Sequence, residues 1–214
     1  MTGFWRWGDP VEPLRELLRR GGVLAIPTES SYGLGADPRN QKGVEAIYRI
    51  KGREPRKALP VVVADLEQLA GLGIDPDLSI LKPLSACWPG PLTVVLPRKR
   101  PISRSEIPAA AGEPALAVRI PGHEGLRSLL AALGHGLTAT SANPSGGEPV
   151  LDPKGAADLL EGEDAMVVDG GVLPGGPPST LVAIEEAGPV VLRTGKFPVE
   201  RLREVLRAAQ GEDA

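Results

Sequence analysis

The stretch R-I-K-G-R-E-P-R-K-A-L-P-V-V-V, residues 49 to 63, reads as the end of a helix, a break, and the start of a buried strand. Gly52 and Pro55 interrupt the helical pattern, and the run from Leu59 to Val63 is apolar on both faces, as a covered strand is. Arg49, Lys51, Arg53, Arg56 and Lys57 stand at this junction beside one acid, Glu54, in a chain of net charge -3. At physiological salt the screening length is about 8 Å, so a docked anion would feel these cations and little of the overall charge. Lys51 and Arg53 are expected to sit exposed at the junction, where side chains converge instead of spreading along a solvated face.

The same alternation of helix and strand extends in both directions. Upstream, Asp9-Pro10 reads as an N-cap with proline at the first helical position, followed by the stripe Val11, Leu14, Leu17, Leu18. Val23 to Pro27 reads as a buried strand running into T-E-S-S-Y-G-L-G-A-D, a polar loop of the kind in which α/β proteins hold ligands. Residues 40–51 form the next predicted helix and 59–64 the next strand. Downstream, helices are expected at 65–70, 77–88, 124–133, 152–160 and 198–209, and strands at 92–96, 115–120, 137–140, 165–169, 180–184 and 190–193. The class is therefore α/β with mixed strand order, in one domain over residues 1–209 followed by a frayed tail at 210–214.

Composition removes several classes of function. A hydrophobic fraction of 42% with 24% charged residues is that of an ordinary globular chain. Cys87 is the one cysteine, so no disulfide can form within the chain, and a reducing cytoplasm fits. With His123 and His135 far apart, a Cys/His metal site is not expected, and any metal would arrive with a ligand. The N-terminal M-T-G-F-W-R-W-G-D-P has no apolar core of a signal peptide, and no window is long and apolar enough for a membrane helix. A pI near 5.5 argues against a protein that coats nucleic acid.

Common catalytic and nucleotide motifs are missing. There is no G-x-x-x-x-G-K-[ST], Gly33-Leu34-Gly35 lacks the third glycine of a dinucleotide loop, and no G-x-S-x-G elbow occurs. What recurs is a polar group at a strand end: Thr28 to Ser31, Arg119, Ser141-Ala142-Asn143, Ser179-Thr180 and Arg193. Each alone is ordinary turn chemistry. With the cationic junction, they supply fixed cations and oriented donors of the sort a polyphosphate requires.

These stretches resemble the YrdC-like family, the threonylcarbamoyl-AMP synthases. The matching segments are P-T-E-S-S-Y-G-L-G (27–35), K-G-R-x-x-x-K-x-L (51–59), W-P-G-P-L-T-V-V-L (88–96), A-V-R-I-P (117–121), S-A-N-P-S-G (141–146), P-S-T-L-V (178–182) and L-R-T-G (192–195), in family order. The resemblance implies a twisted mixed sheet with flanking helices around a basic cavity, in the short form without an extra C-terminal domain. It implies a nucleotidyltransferase that joins L-threonine, bicarbonate and ATP into threonylcarbamoyl-AMP, with Mg2+ carried by the triphosphate. Lys51, Arg53, Ser141 and Asn143 would hold the ATP phosphates and the reacting carbamate. Lys57 and Arg193 would add ATP contacts, and Ser30, Arg119 and Ser179 would bind threonine. Downstream threonylcarbamoyl-transfer proteins acting on tRNA would be its partners. Two alternatives remain at this stage: a same-fold paralogue acting on another carbamate or acyl adenylate, and a module binding tRNA or double-stranded RNA through the 49–57 cluster with Arg98, Lys99, Arg100 and Arg104.

Overall fold

The structure, a computed structural model, describes residues 2–54, 58–99, 107–110, 114–185 and 188–210. In chain order it forms β1 (Gly3–Trp5), α1 (Glu12–Arg19), β2 (Val23–Pro27), β3 (Tyr32–Gly35), α2 (Gln41–Lys51), β4 (Val61–Val62), α3 (Leu81–Leu84), β5 (Leu92–Pro97), β6 (Ala115–Arg119), α4 (Glu124–Leu133), β7 (Leu137–Thr138) and β8 (Thr140–Ser141). It continues with α5 (Pro153–Leu159), β9 (Ala165–Val168), β10 (Thr180–Glu185), β11 (Gly188–Arg193) and α6 (Val199–Gln210). Short 3-10 turns lie at Glu67–Leu72 and Pro108–Ala110.

The strands divide between two mixed sheets, ordered β1-β9-β2-β3-β8 and β11-β10-β5-β6-β4-β7. The chain passes from one sheet to the other at Ala139. Leu137 and Thr138 pair antiparallel with Val62 and Val61, whereas Thr140 and Ser141 pair antiparallel with Leu34 and Gly33. Ala139 itself donates its N–H to Pro60 O at 2.8 Å. One apolar cluster joins Val23, Ala25 and Leu34 of the first sheet to Leu92, Val94, Leu116 and Val182 of the second, and includes Val44 and Ile47 of α2. A second cluster packs Leu14, Leu17 and Leu18 of α1 against Leu126, Leu129, Leu130 and Leu133 of α4. Each such leucine contributes roughly 1.5–3 kcal/mol on burial, which makes these helices fixed supports for the strand ends. Cys87 is a buried free thiol.

Several elements differ from the sequence reading. Residues 32–35 form a buried strand where a loop was expected, because β2 offers four paired positions from Leu24↔Gly35 to Pro27↔Tyr32. Asp9 does not cap α1; it accepts from Arg6 N at 2.8 Å and closes a turn, and the helix begins only at Glu12. The helix read at 77–88 shrinks to Leu81–Leu84. The strand read at 59–64 shrinks to Val61–Val62, since Pro60 has no N–H and Leu59 donates instead to Ala109 O at 2.8 Å. The three-residue β1 was not foreseen, and the final helix extends through Gln210, one residue into the stretch read as a tail.

Candidate active site

Helix α2 starts at Asn40, whose side chain accepts from Lys42 N and Gly43 N, and ends at Gly52 with a left-handed φ of 58°. That exit delivers Lys51 and Arg53 in different directions. Lys51 is buried, only 5% exposed, which corrects the expectation of an exposed junction. Its Nζ donates to Ser141 O at 2.5 Å, Asn143 O at 2.9 Å and Asn143 Oδ1 at 3.3 Å. Burial pushes the Lys51 ammonium down to about 8, with the nearby Arg53 charge adding to the effect. Asn143 is buried too, and its amide donates to Pro144 O at 2.8 Å and Gly147 O at 2.7 Å. Lys51, Ser141 and Asn143 are thus one connected unit, with the lysine bound to the loop after β8.

A cavity of about 420 Å3 opens beside this unit, and Arg53, Arg119 and Arg193 line it together with Thr93, Thr140 and Ser179. Val62, Val95, Ala117 and Leu181 give it an apolar wall. Among the described residues that line it there is no carboxylate, and three guanidinium groups face the space, Arg119 with Glu29 behind it at 2.5 Å. Arg193 donates from Nε and Nη2 to Ser179 O at 3.2 and 3.0 Å and from Nη2 to Ser179 Oγ at 3.1 Å. Ser179 Oγ shares a 2.7 Å hydrogen bond with Thr93 Oγ1. Burial and the Arg119 charge both lower the Arg193 pKa, which marks two guanidinium groups held close in a partly dry place. A second cavity of about 390 Å3, lined by Arg39, Asp65, Glu67, Gln68 and His135 among others, mixes both signs of charge and suits an anion less.

The sequence-predicted residues fall into three groups. Arg53, Arg119, Ser179 and Arg193 line the cavity; Lys51, Ser141 and Asn143 form the hydrogen-bonded unit next to it; Ser30 lies in the turn between β2 and β3 and is not among the lining residues. Lys57 lies outside the described residues. The cationic cluster converges less than expected, because Arg49 turns away to Glu163 at 2.5 Å. Of the basic residues that motivated RNA binding, Arg98 is buried, Lys99 pairs with Asp75 at 3.1 Å, and Arg100 and Arg104 lie outside the described residues. Thr93 was missed, although a threonine inside the apolar run L-T-V-V-L was a usable signal.

Gly195 locks the end of β11 onto the segment before β10. A Cβ there would lie 2.3 Å from Pro178 O, 2.4 Å from the Ser179 carbonyl carbon and 2.5 Å from Thr180 N, all main-chain atoms that cannot swing aside. Gly195→Ala is expected to destabilise by about 1–3 kcal/mol, lowering the thermal midpoint by roughly 2–10 °C, and to displace Ser179 from Arg193. Gly71, whose Cβ would meet nothing within 4 Å, provides the control substitution. Equal midpoints for the two variants in scanning calorimetry would refute this close-approach argument.

The fold and the cavity define an α/β protein with an arginine-lined space against one of its sheets. The family model Sua5_yciO_yrdC, described as "Telomere recombination", matches residues 16–195, and the chain belongs to that family. It is 35% identical over 199 residues to a threonylcarbamoyl-AMP synthase of Bacillus subtilis, covering 92% of this chain and 57% of that protein. It is 38% identical over 176 residues to a threonylcarbamoyl-AMP synthase of Thiobacillus denitrificans, covering 79% of this chain and 88% of that one. A crystal structure of Pyrococcus abyssi Sua5 complexed with L-threonine superposes with a TM-score of 0.82 at 31% identity, over 96% of this chain and 61% of that chain. The chain therefore spans little more than half the length of the longer relatives it matches.

Proposed function

We propose that this chain joins L-threonine, bicarbonate and ATP into threonylcarbamoyl-AMP and releases pyrophosphate. The observation that carries the reading is the cavity lined by Arg53, Arg119 and Arg193 with hydroxyls from Thr93, Thr140 and Ser179 and no carboxylate among its described lining. Similarity to proteins named threonylcarbamoyl-AMP synthase, and to a Sua5 crystallised with L-threonine, supports it.

In this reading, the threonine amine attacks CO2-derived carbon and loses a proton to give a carbamate. A carbamate oxygen then attacks the α-phosphorus of ATP, and the bond to the pyrophosphate oxygen breaks. No protein nucleophile is needed, so positioning and charge neutralisation carry the rate. Arg53 and Arg193, with Lys57, neutralise the triphosphate, while Ser141 presents its hydroxyl from the loop that Asn143 and Lys51 tie down. Arg119 donates to the threonine carboxylate, and Ser30 and Ser179 offer hydroxyls to the small polar substrate. Mg2+ would come with the triphosphate oxygens, since the described lining has no carboxylate to hold it. The product would pass to threonylcarbamoyl-transfer proteins acting on tRNA, in the cytoplasm. No helix among the described residues is long and apolar enough to cross a membrane.

The test is pyrophosphate release from ATP, Mg2+ and bicarbonate with threonine present, absent or replaced by serine. Release that requires threonine is the expected result. Release that ignores the amino acid would transfer the chain to a paralogous activity, and none under any condition would end the synthase reading.

A further inference from the structure

We propose that Glu29 is the positioning residue for Arg119, fixing its guanidinium as a directional receiver for the amino-acid carboxylate and reserving the remaining cations for the triphosphate. The proposal rests on the synthase reading for the identity of the two ligands. Its geometry stands independently.

Glu29 projects from a turn that is itself held rigid. Thr28 Oγ1 donates to Ser31 O at 2.7 Å, Thr28 N donates to the same oxygen at 3.2 Å, and Gly175 N donates to Ser30 O at 2.8 Å. From there the carboxylate crosses to the other sheet. Its Oε1 meets Arg119 Nη2 at 2.5 Å and also accepts from Gly122 N. Arg119 is gripped a second time, because its Nε donates to Gly90 O at 2.9 Å. The two side chains are 12% and 20% exposed. Nε and Nη2 are therefore committed to two different loops, and Nη1 is the nitrogen left uncommitted among the described residues.

The charge arrangement gives this clamp a purpose beyond holding two sheets together. Burial pushes the Glu29 carboxyl up, but the Arg119 charge and N–H donors from Glu29 itself and Gly122 outweigh it, so the group stays ionised below the usual carboxylate range. All its bonds fall on Oε1, while Oε2 is buried with no partner among the described groups. Arginine–carboxylate pairs are frequently two-pronged, and this one uses a single carboxylate oxygen. Of the three cavity arginines, Arg119 alone has a carboxylate partner among the described residues; Arg53 reaches Ala58 O and Arg193 reaches Ser179. A counterion at hydrogen-bond distance cancels much of the long-range field of Arg119 and leaves its donor geometry. Such a group favours a singly charged carboxylate over a polyphosphate, and the uncompensated Arg53 and Arg193 favour the reverse.

Glu29→Gln keeps the shape and one acceptor but removes the charge. Calorimetric titration of the full chain with L-threonine, and separately with ATP and Mg2+, should show threonine binding weakened about tenfold, the loss expected for one charge-assisted contact. ATP binding should stay within about twofold or tighten. Glu29→Asp, which keeps the charge on a shorter arm, should fall between wild type and Glu29→Gln. Equal weakening of both ligands, or no change in either while only the thermal midpoint moves, would show Glu29 to be structural and overturn the proposal. If wild type binds no threonine at millimolar concentration, the synthase reading fails, and crystal structures of wild type and Glu29→Gln decide the positioning claim. A guanidinium that leaves the Gly90 carbonyl supports it, and one that stays in place refutes it.

Discussion

Arg53→Ala is expected to cut threonine-dependent pyrophosphate release by at least about a hundredfold while leaving the thermal midpoint nearly unchanged. The guanidinium lines the cavity, and its one described bond, from Nη2 to Ala58 O, is long at 3.4 Å. Little of the fold therefore depends on it. A charge-assisted hydrogen bond contributes roughly 1.5–3 kcal/mol, and about 1.4 kcal/mol is a factor of ten. Losing two such bonds to a triphosphate costs roughly a hundredfold or more, and the loss grows if the bonds tighten in the transition state. Initial-rate measurements at saturating ATP, beside calorimetry of the same sample, separate activity from folding. A rate within a factor of ten of wild type, in a protein that melts normally, would remove Arg53 from the phosphate site.

Lys51→Met, two residues away, is expected to behave in the opposite way, with a loss of stability as its main effect. Replacing the ammonium strands the buried Asn143 O, which it meets at 2.9 Å, and leaves Ser141 O with the Asn143 N–H at 3.0 Å. An orphaned buried acceptor costs about 1–3 kcal/mol, a fall of order 5 °C in a chain of this size. A drop below about 2 °C would mean that water satisfies the Asn143 carbonyl and that the lysine is not structural. The pH dependence provides a second readout. The folded Lys51 titrates near 8 against 10.5 for an ordinary lysine, so between those values the unfolded chain binds more protons than the folded one. The contribution of this group to unfolding free energy therefore rises with pH across that window, and the rise should vanish from the stability curve of Lys51→Met.

The contrast between Arg53 and Lys51 shows how much was legible in the sequence. Both were read as site residues from the K-G-R pattern, and both stand next to the cavity or its supporting loop. Their opposite surroundings follow from the left-handed exit at Gly52 and from partners about ninety positions away, which no local pattern encodes. Strongly periodic elements were readable to the residue: α4 spans Glu124–Leu133 as expected, with His123 Nδ1 accepting from Leu126 N at 3.1 Å at its start. Short or Gly-containing strands were not. β3, written Y-G-L-G, is a strand only because β2 and β8 flank it, and the crossing at Ala139 depends on Val61 and Gly33 waiting in different sheets. Glu29 was quoted within a motif and given no role, since a lone acid in a turn says nothing about the arginine it will meet on another sheet.

The strand order also bears on how the chain is born. β9 lies between β1 and β2, pairing Met166 with both Gly3 and Leu24, yet it is made after every other strand of its sheet. At translation rates of about 5–20 residues per second, β1 and β2 leave the ribosome tunnel roughly 7–30 s before their shared neighbour exists. Through that interval each presents an open hydrogen-bonding edge, and Val23 to Ile26 is an apolar segment of the kind that recruits foreign strands. A nascent chain of this architecture has reason to engage holding chaperones early, and slower translation would lengthen the exposure without changing the finished molecule.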